Sequence, residues 1–271
     1  MITSLRIRLL GISLMVLGFM SCLGSSTADA GPVVANGVIV TEEVTAGIAF
    51  YHAVPEGLDP ETPLPMVVHL HGRGDDAWRP NGPFLDIETP MRVILPRAPE
   101  RYQSGFAWMP VSASRGESRE LVDALDQRTE ELAEFLEELT ETYPTLGKPI
   151  VLGFSQGGML SFTLALNHPE VVGRAFPLAG YIPPSRLPAR YDRSEAYPKI
   201  TAMHGMADPI LRVHRTRAGV SHLSNLGYDV ELFEYPGVEH VMTSDMYLQL
   251  SQWLEQELLQ LHHAGEAGGF S

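Results

Sequence analysis

The feature that most restricts this chain is Gly153-Phe154-Ser155-Gln156-Gly157, set between the apolar run Pro149 to Gly153 and a mostly apolar stretch, 156–167, of helical length. A buried strand that ends in G-x-S-x-G and passes straight into a helix makes a turn so tight that the serine backbone is strained. Glycine is needed on both sides, because a Cβ there would clash with the adjacent strand or helix. The turn lifts the serine hydroxyl at the carboxyl edge of a sheet, against the positive end of the helix. Ser155 is therefore the candidate nucleophile. The pattern alone recurs by chance; its place between strand and helix gives it weight.

The rest of the chain supplies a sheet for such a turn. Residues 33–42 and 46–53 are rich in β-branched residues and read as an antiparallel pair at a sheet edge. Met66–Leu70, Arg92–Leu95, Pro149–Gly153, Ala175–Ala179, Ile200–His204 and Val230–Tyr235 read as further strands. Helices are expected from near Ser118 to Tyr143, over 156–167, over 211–226 closed by Gly227, and from about Ser244 to His262. In the first, Leu121, Leu125, Leu132, Phe135, Leu136 and Leu139 form an apolar stripe; Glu130, Glu131, Glu134, Glu137 and Glu138 form a solvated face. In the last, Tyr247, Leu250, Leu254, Leu258 and Leu261 should face inward. Residues 97–116 read as one long polar loop, 182–198 as an irregular surface stretch and 265–271 as a frayed tail. Strands alternating with helices imply one α/β domain, 31–264, with a mostly parallel sheet covered on both faces.

A serine hydroxyl is a weak nucleophile and needs a base, itself oriented by an acid. On such a sheet the chain order is Ser, then Asp or Glu, then His. Asp208 follows the Ile200–His204 strand and His240 follows the Val230–Tyr235 strand, so both should reach the edge that carries Ser155. The other downstream histidines sit in predicted helices, at element ends or in the tail; His204 is set aside as the end of a strand. Glu239 and Asp245 are weaker acids, because they follow the wrong strand. Acyl transfer also needs N–H donors for the oxyanion, and the backbone amides of Gln156 and Arg73 are placed to supply them. His71-Gly72-Arg73-Gly74 could also be read as a phosphate or metal loop, but no second cluster of metal-ligating residues supports that, and no metal or cofactor is expected.

The formal net charge of −14 argues against a nucleic-acid partner, since phosphate binding needs concentrated Lys and Arg. Residues 1–30 differ from the remainder. Arg6 and Arg8 precede an apolar run, Leu9 to Met20, too short to span a bilayer, and Ala28-Asp29-Ala30 gives a small-x-small cleavage pattern. This is an export signal cleaved after Ala30, placing the protein in the periplasm or outside the cell. Cys22, the one cysteine, offers an alternative: lipidation there would tether the chain to a membrane. Cleavage after Ala30 leaves a chain without disulfide or thiol chemistry.

His71-Gly72-x-Gly74-Asp75, Gly153-Phe154-Ser155-Gln156-Gly157-Gly158, Gly205…Asp208-Pro209 and Gly237…His240 together resemble the phospholipase/carboxylesterase family, which includes acyl-protein thioesterases. The likeness covers about 64–260. It implies a compact α/β-hydrolase with no large lid, a Ser155-Asp208-His240 triad, oxyanion amides from Arg73 and Gln156, and a small ester or thioester substrate. Where the family often carries a Trp-Phe-Asp-like segment, this chain reads Trp108-Met109-Pro110, and the resemblance makes Trp108 a candidate wall of the substrate pocket. The export signal and the strand pair over 33–53 look more like secreted esterases than cytosolic thioesterases. A peptidase of the same fold and a catalytically inactive binding module are the competing readings.

Overall fold

The computed structural model describes residues 33–35, 37–77, 84 and 87–268. The export signal, Cys22 and the Ala30 cleavage site lie outside the described residues.

The structure is a nine-stranded sheet with helices on both faces. Its strands are β1 (Val33–Ala35), β2 (Val38–Thr45), β3 (Ile48–Pro55), β4 (Met66–Leu70), β5 (Arg92–Pro96), β8 (Ile150–Phe154), β9 (Arg174–Leu178), β10 (Lys199–Gly205) and β11 (Val230–Tyr235), in the order β1-β2-β3-β5-β4-β8-β9-β10-β11. From β5 to β11 every pairing is parallel. The amino-terminal β1, β2 and β3 are antiparallel and cover the open edge of β5. The expected edge pair thus exists, but it has three strands. A turn through Gly37, at φ +77°, folds the first segment back on itself, and the second turn falls at Ala46-Gly47.

Alternating side chains divide the core between the two faces. Met66, Val68 and Leu70 of β4 point to one face, with α1 (Arg119–Thr142), α2 (Gln156–Asn167) and α3 (Val213–Leu226). Val67 points to the other, with Leu152, Phe176, Met203 and α4 (Ser244–Gly268). The six predicted apolar positions of α1 are all buried, and Ser118 caps the helix by accepting the Leu121 N–H at 3.2 Å. In α4, Leu250, Leu254 and Leu258 are buried as expected, but Met246 is the first buried anchor and Tyr247 is only partly covered. α4 also continues past His262 to Gly268, so residues 265–268 are helical and not a frayed tail.

The segment expected to be one polar loop, 97–116, carries a separate hairpin of β6 (Glu100–Tyr102) and β7 (Gly105–Ala107) and a short 3-10 turn, Ala113–Arg115. Three-residue strands give no period-two signal to read. Within 182–198 there is one 3-10 turn, Pro184–Arg186, and Tyr191 and Tyr197 pack against Tyr228.

Register brings the site together. Leu70 lies beside Gly153, Phe154 beside Leu178, Leu178 beside Met203, and Gly205 beside Tyr235. The loops after β4, β8, β10 and β11 therefore leave the sheet at one edge.

Candidate active site

Ser155 sits in the turn between β8 and α2 at φ +57° and ψ −111°, a backbone conformation rarely adopted by a residue with a side chain. Its N–H donates to Leu178 O at 2.9 Å, which pins the turn to the next strand. The turn closes only because Gly157 has no side chain: a Cβ there would lie 2.1 Å from Leu70 O, a backbone atom of β4. A Cβ on Gly153 would in turn meet Gly157 O at 2.4 Å.

The structure joins the three predicted residues by hydrogen bonds. His240 Nε2 lies 2.9 Å from Ser155 Oγ, and His240 Nδ1 lies 2.6 Å from Asp208 Oδ2. Nδ1 donates to the carboxylate, which leaves Nε2 free to accept from the serine hydroxyl. Asp208 Oδ1 accepts from the Ile210 and Leu211 amides at 2.8 and 2.9 Å. Burial alone would push the Asp208 carboxyl up. The N–H groups of His204 and His240, electrostatic attraction to the His240 ring and the Leu211 amide outweigh it and hold the group well below the usual carboxylate range. Of the alternative acids, Asp245 lies in the first turn of α4, and it is Asp208 that occupies His240 Nδ1.

Arg73 lies in the loop after β4 and Gln156 at the first position of α2, directly after Ser155. Neither backbone N–H has a protein acceptor among the described residues. The 72–75 loop is held elsewhere: the Gly74 N–H donates to Phe106 O at 2.7 Å, and the Arg73 guanidinium stacks 3.9 Å from the centre of the Tyr102 ring. His71 braces it from below, with Nδ1 donating to Gly72 O at 2.7 Å and Nε2 accepting the Ala98 N–H at 3.1 Å. Burial pushes the His71 imidazole down, so it stays neutral in this brace.

Trp108 is not an open pocket wall. It is 1% exposed, its indole N–H donates to His71 O at 2.9 Å, and its ring packs against the His71 ring. Its place is beneath the loop that carries Arg73. The side chain of Gln156, for which the sequence suggested only a backbone role, fastens the same region. Its Oε1 accepts the Trp108 N–H at 3.0 Å, and its Nε2 donates to Met109 O and Val111 O at 3.1 and 3.2 Å. His204, set aside as a strand end, is the other residue the sequence reading passed over. It is fully buried with Nε2 3.3 Å from Asp208 Oδ2. The signal was its position four residues before Asp208, across the Gly205 turn.

A cavity of about 380 Å³ opens beside His240, lined by His69, His71, Asp75, Phe154 and Tyr247 among others. Among the described residues, no group of three or more His, Cys, Asp or Glu side chains is placed to hold a metal, and no helix is long and apolar enough to cross a membrane.

A strand-turn-helix serine on a mostly parallel sheet, with Asp and His on the following loops, defines an α/β-hydrolase. The phospholipase/carboxylesterase family profile matches residues 51–258, and the chain belongs to that family. It is similar to a protein of Oryza sativa subsp. japonica named probable carboxylesterase, with 30% identity over 109 residues, 40% of this chain and 41% of that one. It also matches acyl-protein thioesterase 1 of Gibberella zeae, with 26% identity over 216 residues, 71% of this chain and 90% of that one. The chain spans less than half the length of the plant relatives it matches. The crystal structure of a carboxylesterase from Mesorhizobium loti shares the fold at a TM-score of 0.65, with 21% identity over 79% of this chain and 98% of that one.

Proposed function

We propose that this chain is an exported serine hydrolase that cleaves carboxylic esters of small or medium size, or thioesters, through an acyl-enzyme formed on Ser155. The observation that carries the reading is the unbroken hydrogen-bond chain from Ser155 Oγ through His240 to Asp208. In this reading Ser155 Oγ attacks the substrate carbonyl and its proton passes to His240 Nε2. Asp208 holds the imidazole tautomer and offsets the charge that forms. The amides of Arg73 and Gln156 take the oxyanion, with the amino end of α2 adding its dipole. As the tetrahedral intermediate collapses, the C–O or C–S bond to the leaving group breaks and His240 returns the proton to it. Water then repeats the sequence on the acyl-enzyme and frees the acid and Ser155.

The cavity beside His240 is of a size that suits one arm of a small ester. The relatives named carboxylesterase and acyl-protein thioesterase support ester and thioester chemistry alike. The basic, apolar, small-residue pattern of residues 1–30 supports export, with lipidation at Cys22 as the other route.

The test is labelling with a fluorophosphonate probe. The chain beginning at Gly31 should react and Ser155→Ala should not; labelling that persists in Ser155→Ala would refute Ser155 as the nucleophile. p-Nitrophenyl acyl esters should turn over faster than aminoacyl anilides, and the reverse order would favour the peptidase reading. No reaction with either probe or substrate would leave the inactive binding module.

A further inference from the structure

The histidine beside Asp208 is more tightly built in than a strand end requires. His204 lies on β10, fully buried. Its Nε2 faces two acceptors, Leu211 O at 2.6 Å and Asp208 Oδ2 at 3.3 Å. Neither can donate, so Nε2 carries a proton. On the opposite side, Nδ1 lies 2.9 Å from Thr216 Oγ1, which in turn lies 2.7 Å from Gly180 O. Leu211 closes the loop, since its N–H donates to Asp208 Oδ1 while its carbonyl accepts from His204. The turn carrying Asp208 is thus tied through one imidazole to α3 and to the end of β9. The oxygen that His204 approaches, Oδ2, is the one that serves His240.

We propose that His204 is a positioning residue of this site: its Nε2–H, bonded to Leu211 O, lies 3.3 Å from the Asp208 oxygen that binds His240, and by its polarity limits how strongly that carboxylate draws the His240 proton. The inference rests on the hydrolase reading above. A donor beside Oδ2 withdraws charge from the acceptor of His240 Nδ1–H. Without it, the carboxylate favours the protonated form of His240, which cannot take the Ser155 proton. The other titratable groups around His240 are Glu239 next to it in the chain and, around the adjoining cavity, His69, His71, Asp75, Asp76 and Tyr247. None of these is altered by a change at position 204.

Two amide variants separate the roles. The amide nitrogen of His204→Gln occupies the place of Nε2 and keeps the donor to Leu211 O and Asp208. That of His204→Asn falls near Nδ1 and loses it. His204→Asn should lower kcat/KM toward p-nitrophenyl butyrate by about ten- to hundredfold, the rate equivalent of one hydrogen bond to a charged group. It should also move the acid limb of the kcat/KM profile up by about one pH unit, while His204→Gln keeps the limb of the parent. Matching profiles for the two variants, or lower activity with an unmoved limb, would overturn the proposal. A measurement on the parent chain stands even if His204→Asn does not fold: with ¹⁵N-labelled histidine, NMR should find Nε2 of His204 protonated at neutral pH, and a bare Nε2 would overturn it. Loss of the hydrolase reading has its own signature, the absence of Ser155-dependent labelling in the parent.

Discussion

Gln156 does two tasks with one residue. In the proposed mechanism its amide is one of the two oxyanion donors, and its side chain is bonded to Trp108, Met109 and Val111. Trp108 carries the tie on to the His71 carbonyl, beside the loop that holds Arg73. Both of the proposed oxyanion donors are thus braced by one buried side chain, 2% exposed. Gln156→Glu keeps the acceptor for the Trp108 N–H. It loses both donated bonds and buries a carboxylate against two carbonyls, an arrangement that costs far more than the bonds themselves. The expected outcome is a fall in kcat of about ten- to hundredfold with little change in KM, because an oxyanion donor acts on the transition state and not on the bound ester. Steady-state kinetics on a p-nitrophenyl ester check it, and an unchanged kcat would dissociate the clamp from the donors.

At the scale of elements, the site depends on how closely α2 approaches β4. Gly157 permits that approach, and Gly157→Ala would set its Cβ against backbone, which cannot rotate aside as a side chain can. Strand and helix must separate, at a cost above the usual ~1–3 kcal/mol of an overpacked core. A melting temperature lower by at least about 5 °C is expected, together with loss of fluorophosphonate labelling. A stable, labelled Gly157→Ala would show that the turn has slack. This turn was legible in the sequence because its requirements are local: two glycines, a serine and the change from strand to helix within five residues. Asp208 and His240 were legible because chain order and strand ends place them. His204, the Gln156 side chain and the burial of Trp108 were not, because each depends on which loops the register sets side by side. The β6–β7 hairpin escaped for another reason. Its strands are three residues each, and what holds it is hydrogen bonding to the 74–75 loop.

Over the whole molecule, the amino-terminal strands are fastened by polar groups as well as by pairing. His52 on β3 lies between Glu43 of β2 and Arg92 of β5, with Nδ1 2.9 Å from the Glu43 carboxylate and Nε2 accepting from Arg92 Nη1 at 2.6 Å. Tyr143, just after α1, donates to the same carboxylate. This arrangement needs His52 neutral, and burial pushes its imidazole down. Burial acts the same way on His69 beside the site, with neighbouring His71 adding to it, and pushes that imidazole down to about 4. These are bases whose folded values lie below their unfolded ones. Above about pH 6.5 both states are neutral there and the histidines leave stability untouched. As the pH falls from about 6.5 toward 4, the unfolded chain takes up protons that the folded chain refuses, and stability drops. Asp208 acts in a lower window: its folded value is depressed, so the stability it contributes at neutral pH is lost only as the pH falls below about 4. The loss between pH 7.5 and 5 should therefore come from the histidines. His69→Gln, which cannot titrate, should lessen that loss by no more than about 2 kcal/mol. Urea unfolding of parent and variant at the two pH values measures it, and an equal loss in both would mean that His69 is protonated in the folded chain.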